Sequence, residues 1–323
     1  MRPAPELVDR FRSDLDALVE PDERVGVAVS GGPDSMALLL LAAAARPGFV
    51  EAATVDHALR PESCGEAEMV AAMCERLRVP HAILTAEWAE PPATALQERA
   101  RAERYRLLAR WAAERNLAAV ATAHHLDDQA ETLVMRLARG AGVRGLAGMR
   151  ASARVPGSDV PLIRPLLSWR RSELEQLCLA AGVQAVADPS NTDEQFERVR
   201  IRRALAEAEW LNSESLAASA AHLAEADAAL NWTSDQEWRR AVTANGTEIV
   251  YRPDSAPPEI RRRIVTRALA ALATEGDGAD LRGRELDRLI AELESGRQTT
   301  LRGVLCSGGE EWRFVPAPHR AQR

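Results

Sequence analysis

Lysine is absent from this chain of 323 residues: all 41 basic side chains other than histidine are arginines. A Walker-A phosphate loop, a Schiff base and any covalent intermediate on a lysine amine are thereby excluded. The nucleotide composition of the source genome is reason enough for the absence. Cysteine is scarce as well. Cys64, Cys74, Cys178 and Cys306 contain no C-x-x-C pair, so a disulfide scaffold, a cysteine zinc or iron–sulfur site and a redox couple are not expected, and reduced structural thiols are. Long apolar runs are missing too. The hydrophobic 46% is alanine-rich and broken by charges, and no run of about 18 apolar residues is available to span a bilayer. Met1 to Glu20 sets Arg10, Arg12, Asp14 and Asp16 into a helical pattern without the apolar segment of a signal peptide. A cytoplasmic location and no membrane partner are expected.

The formal net charge of -7 argues weakly against a nucleic-acid partner, but the charge is uneven: -8 over residues 1–135, +5 over 136–203 and -4 over 204–323. A basic middle segment can hold phosphates on an acidic molecule, because salt confines surface fields to about 8 Å.

From Arg24 onward, short apolar runs at Val25–Ser30, Val50–Asp56, His81–Thr85 and Ala118–Thr122 alternate with helical stretches near Asp34–Ala45, Glu66–Arg78 and Ala95–Arg115. Such alternation predicts an α/β fold with a doubly wound, mostly parallel sheet, whose ligands bind outside the carboxyl ends of the strands. Helices are further expected at Ser172–Ala181, 204–241, Pro257–Leu272 and Arg282–Leu293, with a strand at Glu248–Tyr251 and a hairpin over Leu301–Phe314 that turns at Ser307-Gly308-Gly309. The length implies two domains, read as 1–207 and a smaller, mainly helical 208–323.

Four segments carry candidate chemistry. Ser30-Gly31-Gly32-Pro33-Asp34-Ser35 follows a strand and opens a helix; it reads either as a plain turn or as a loop whose glycines and free helix amides receive phosphate. Thr54 to Arg60 places Asp56 and His57 at a strand end, where they either cap the turn or shape a site. Gln97 to Tyr105 puts Arg99, Arg101 and Arg104 on a helix, as a solvated ion-pair face or as a source of a site arginine. The most specific is Thr122 to Thr132, TAHHLDDQAET. At about 100° per residue, Leu126, Ala130, Leu133, Val134 and Leu137 form an apolar face, with His124, Asp128 and Glu131 opposite and away from the core. Two carboxylates three residues apart suit an ammonium group or magnesium, and an imidazole suits a phosphate or a proton transfer. Their order does not suit zinc.

SGGPDS matches the pyrophosphate loop, SGGxDS, of the PP-loop ATP pyrophosphatases, and the chain most closely resembles the tRNA(Ile)-lysidine synthetases within that group. The likeness continues through VDHALR at 55–60, QERARAERY, AHHLDDQAET, Arg164-Pro165-Leu166-Leu167, Asp188 to Asp193, and Phe196 with the arginines to 203. It is specific from about 24 to 205 and weaker beyond, and no counterpart of the second C-terminal domain of longer members is expected. The resemblance implies ATP and Mg²⁺ at Ser30, Gly31, Gly32, Pro33, Asp34 and Ser35, with Asp34 organising the metal and Asp56 and His57 near the adenine end. It implies catalysis by Asp34, His124, Asp128, Glu131 and Arg104 (Arg101 being second choice), lysine held by Asp128 and Glu131, and tRNA phosphates met by Arg198, Arg200, Arg202 and Arg203. The partners implied are tRNA(Ile) with a CAU anticodon and L-lysine, with a homodimer left open. The implied activity is ATP-dependent ligation of lysine to the wobble cytidine; a tRNA thiolase on the same scaffold and a non-catalytic ATP-binding module are the alternatives.

Overall fold

The computed structural model describes residues 2–58, 62–88, 96–183, 195, 197–208, 210–273 and 283–318. The expected stretch Asp188 to Asp193, together with Leu59, Arg60 and Phe196, lies outside them. The chain forms two compact units, Met1–Ala224 and Glu225–Arg323. No helix among the described residues is long and apolar enough to cross a membrane.

Unit one runs α1 (Pro5–Asp16), β1 (Val25–Ala28), α2 (Pro33–Ala45), β2 (Val50–Asp56), α3 (Glu62–Leu77), β3 (His81–Thr85), α4 (Leu96–Glu114), β4 (Ala119–Ala121), α5 (Leu126–Ala138), α6 (Val143–Leu146), β5 (Ser152–Arg154), β6 (Pro161–Ile163), α7 (Arg171–Ala180) and α8 (Glu197–Glu207). The unit boundary falls within α9 (Ser213–Ala241). The six strands lie in the order β3-β2-β1-β4-β6-β5, parallel except for the β5–β6 pair. The strand order reverses between β1 and β4, which is where a sheet of this kind opens a crevice at its carboxyl edge.

Alternation along these strands feeds two cores. Val25 and Val27, Ala52, and Ala119 and Ala121 face one side and pack with Phe11, Leu15, α2, Val70, Cys74, Leu174 and Leu177. Ala53 and Val120 face the other, against Tyr105, Leu108 and Trp111 of α4. The run of leucines from Leu38 to Leu41 leaves α2 apolar on every side, and each of the four is buried. Full burial of such a side chain contributes about 1.5–3 kcal/mol, which fixes the helix that opens at the glycine loop.

Unit two adds β7 (Val242–Ala244), β8 (Ile249–Tyr251), α10 (Pro258–Leu272), α11 (Gly283–Glu294), β9 (Gln298–Leu301), β10 (Val304–Ser307) and β11 (Trp312–Pro316). The expected hairpin is the β10–β11 pair, and it belongs to a larger antiparallel sheet, β7-β8-β11-β10-β9. Tyr251 meets the Trp312 ring edge-on at 5.7 Å, in a core with Ile264 and Leu269 of α10 and Leu289 and Leu293 of α11.

Candidate active site

β1 ends in the Ser30–Ser35 turn. Gly31 takes φ +84°, a left-handed conformation that glycine enters without penalty, and Gly32 stands at the N-cap of α2 with no capping side chain. The first-turn amides of Asp34 and Ser35 are therefore left without a cap, in the position where helices receive anions. Ser35 and Ser30 hold the loop's shape: the Ser35 hydroxyl donates to the Gly32 carbonyl at 2.9 Å and accepts from the Ser30 amide at 3.1 Å. Cys178, from α7, donates to the Pro33 carbonyl at 3.2 Å, and burial pushes its thiol up to about 11.

β4, the neighbour of β1 across the crevice, ends in the double histidine, whose two imidazoles have opposite surroundings. His125 is buried with Nε2 3.6 Å from both Asp34 and Asp128 and Nδ1 3.6 Å from Asp127. Burial alone would lower its pKa, but the three carboxylates outweigh it and push the imidazole up to about 10. Asp127 falls below its usual range despite burial, because His125 and the Arg171 amide at 2.8 Å favour the carboxylate. Burial raises Asp128 against the opposing charges of His125 and Arg198. His124 bonds Thr122 through Nδ1 at 2.9 Å, and burial, with Arg164, Arg104, Arg198 and Arg101 around it, pushes it down to about 3. His124 is thus neutral at physiological pH beside a cationic wall, and His125 is charged beside an acidic one.

That cationic wall is built from α4 and the strand edge. Burial also lowers Arg104, and Arg101 opposes it as a like charge. Arg164 is buried and donates to the Arg150 carbonyl at 2.6 Å, and the Arg101 and Arg104 guanidiniums lie 5.0 and 5.3 Å from the centre of the buried Tyr105 ring. At the end of β2, Asp56 accepts the Ala58 amide at 2.8 Å, the capping role that the strand-end position suggested. Burial first, then Arg104, lowers His57, whose carbonyl accepts the Trp88 indole at 2.8 Å.

Two features of α5 go beyond the helical wheel. Leu137, assigned to the apolar face, is 62% exposed, and Glu131, placed opposite that face, is covered, at 2% exposure. What covers Glu131 is α8: Arg198 donates to Glu131 at 2.7 Å and to Asp128 at 2.8 Å, and Arg202 donates to Glu131 at 2.6 and 3.3 Å. Of the four arginines expected on phosphates, Arg198 and Arg202 meet the acidic pair; Arg200 and Arg203 lie exposed, bonded to the Gln195 carbonyl at 3.0 Å and to Glu207 at 3.0 Å. Sequence reasoning gave no role to His125, Arg164 or Tyr105. His125 was within the quoted motif, and the doubled histidine was its signal.

Asp34 Oδ1 is buried with no hydrogen-bond partner among the described residues, the kind of hard oxygen that Mg²⁺ takes together with phosphate oxygens; no cluster of three metal-ligating side chains stands among those residues, so the remaining ligands of such an ion would be phosphate and water.

Residues 7–209 match the family model of the PP-loop domain. The chain is 48% identical to the tRNA(Ile)-lysidine synthase of Novosphingobium aromaticivorans, covering 97% of this chain and 95% of that protein. It is 42% identical to that of Zymomonas mobilis, covering 92% and 89%. Among solved structures, the U34-tRNA thiolase NcsA from Methanococcus maripaludis superposes with a TM-score of 0.57 at 19% identity, covering 68% of this chain and 77% of that one; this likeness concerns the fold alone. With a PP-loop at the sheet's reversal point, an acidic helix start beside it and relatives matched over nearly their whole length, this chain belongs to the tRNA(Ile)-lysidine synthase family.

Proposed function

We propose that the chain joins L-lysine to the wobble cytidine of tRNA(Ile) bearing a CAU anticodon, at the expense of ATP. The observation that carries this reading is the approach of Asp34, in the phosphate loop, to within 3.6 Å of the His125 ring that also borders Asp128. A nucleotide site and an acidic amine site thereby share one wall.

The phosphates of ATP lie on the Gly31–Ser35 turn, and Asp34 would hold a Mg²⁺ ion, which would supply positive charge to offset theirs. The cytidine 2-carbonyl oxygen attacks the α-phosphorus, the bond to the β-phosphate breaks, and pyrophosphate leaves against the loop. Arg104 and Arg164 offset the charge developing on the transferred phosphate, and neutral His124 offers a hydrogen bond without adding charge. Asp128 and Glu131 orient the lysine ε-amine, which attacks C2 once deprotonated; AMP departs with the former carbonyl oxygen. In this scheme residues 1–207 carry the chemistry and 208–323 are an accessory domain that helps to bind the RNA.

Thiolation is disfavoured by the cysteines: Cys74 is buried and pushed up to about 12, and Cys178 is likewise held protonated, so neither supplies a thiolate. Incubation with labelled lysine, ATP and a panel of tRNAs tests the reading. Incorporation into one CAU-anticodon tRNA, with AMP formed only when tRNA and lysine are both present, is expected. ATP binding without AMP release would instead identify a sensing module, and failure to label any tRNA would refute the ligase.

A further inference from the structure

The carboxylates assigned to the substrate amine already have cationic partners within the chain. Glu131 and Asp128 are met by Arg198 and Arg202, and His125 also borders Asp128, so both carboxylates are paired before any amine arrives. A lysine ammonium that approaches from outside meets the guanidiniums first, as like charges seated on the oxygens it would bond. The layering shows which side moves. The carboxyl side chains are 3% and 13% exposed, while Arg198 and Arg202 are 39% and 32% exposed, so the arginines form the outer cover.

α8 contains no buried residue. Its seat on α5 is held by these guanidinium–carboxylate bonds and by the Arg139–Glu197 pair, with Val199, Ile201 and Leu205 only half-buried. Contacts of this type yield to a competing anion more readily than a packed apolar face does. The Arg198 and Arg202 side chains are 39% and 32% exposed, in the segment 136–203 whose net charge is +5 on an otherwise acidic chain.

The geometry points to a gated amine site: Arg198 and Arg202 cover Asp128 and Glu131 in the free chain, and a backbone phosphate of the bound RNA draws them off and admits lysine. This rests on the ligase reading and adds an order to it, RNA before amino acid. The arginines then serve two successive partners, an internal carboxylate and an RNA phosphate, and an amine is kept from the adenylation site until an RNA is in place. Thermodynamic reciprocity requires lysine to tighten RNA binding by the same factor as RNA tightens lysine binding.

Equilibrium dialysis of labelled lysine against the full chain tests this, using wild type and the double variant Arg198→Gln/Arg202→Gln, each with and without an anticodon stem-loop RNA and with no ATP. A cover closed in nine molecules out of ten lowers apparent lysine affinity roughly tenfold. The RNA should therefore tighten lysine binding to wild type by about that factor, and the double variant should bind lysine roughly tenfold more tightly than wild type without RNA. Unchanged ATP affinity establishes that the variant is folded; should it fail to fold, the wild-type comparison with and without RNA decides alone. Equal lysine affinity of wild type with and without RNA, or of wild type and the folded variant without RNA, overturns the gate. If wild type nevertheless attaches lysine to its tRNA, only the gate has failed; if it attaches lysine to none, the ligase reading has failed with it.

Discussion

Replacing Glu131 with glutamine keeps the size of the side chain and removes its charge. Glu131 is 2% exposed and accepts three guanidinium hydrogen bonds, at 2.6, 2.7 and 3.3 Å. Hydrogen bonds to charged groups contribute about 1.5–3 kcal/mol each. Here the arginine side chains are about a third exposed and rehydrate when the carboxylate is lost, so the expected cost to stability is only about 1–2 kcal/mol. The cost to function is larger, because the bound ammonium loses a charged partner without access to bulk water. Loss of one such interaction, about 1.5–3 kcal/mol, lowers kcat/KM for lysine roughly 10- to 150-fold. The ATP concentration dependence should change little, since the nucleotide site proposed above is the turn before α2. The assay is AMP release at saturating ATP and tRNA over a range of lysine concentrations, with a thermal melt alongside. A kcat/KM for lysine within twofold of wild type would refute the assignment of Glu131 to the amine.

Three further outcomes are expected. His124 has a folded-state value of about 3 against 6.5 when free, so the unfolded chain binds the extra proton between those pH values, and stability is full above 6.5 and lost as pH falls. The loss is about 1–2 kcal/mol at pH 5; denaturant titrations of wild type and His124→Gln should diverge there and converge near pH 7.5, and parallel profiles would contradict the shift. Gly26→Ala places a Cβ 2.6 Å from the Trp111 ring, under the strand that leads to the phosphate loop, and should cost about 1–3 kcal/mol by overpacking; an unchanged Tm would show that Trp111 moves freely. Cys178→Ser retains a donor for the Pro33 carbonyl, so lysine transfer should stay within about twofold of wild type; loss of transfer would reopen the sulfur-relay alternative.

Much of this was legible in the sequence, for identifiable reasons. Strands of a buried parallel sheet are short, nearly continuous apolar runs, which is why β1 to β4 were found close to their observed bounds. The glycine turn and the helix after it were local features, visible in Ser30 to Ser35 alone. What escaped was what depends on distant partners. A helical wheel drawn for α5 knows nothing of α8, yet Arg198 and Arg202, 67 and 71 positions from Glu131, decide that the glutamate is covered. β5, β7 and β9 are strands of three or four residues with no fully buried side chain, too short to show alternation. The contrast between His124 and His125 is of the same kind, because adjacent residues after a strand end faced arginines of α4, of α8 and of the turn after β6 on one side and aspartates of α2 and α5 on the other.

The central claim is that the phosphate loop serves to activate the cytidine's own oxygen for displacement by an amine. It is tested most directly with tRNA(Ile) carrying ¹⁸O at the 2-carbonyl of the wobble cytidine, converted with ATP and lysine and followed by mass spectrometry of the released AMP. AMP bearing the label in step with lysine incorporation is the expected result. Lysine incorporated into the tRNA while the released AMP carries no ¹⁸O would contradict the claim.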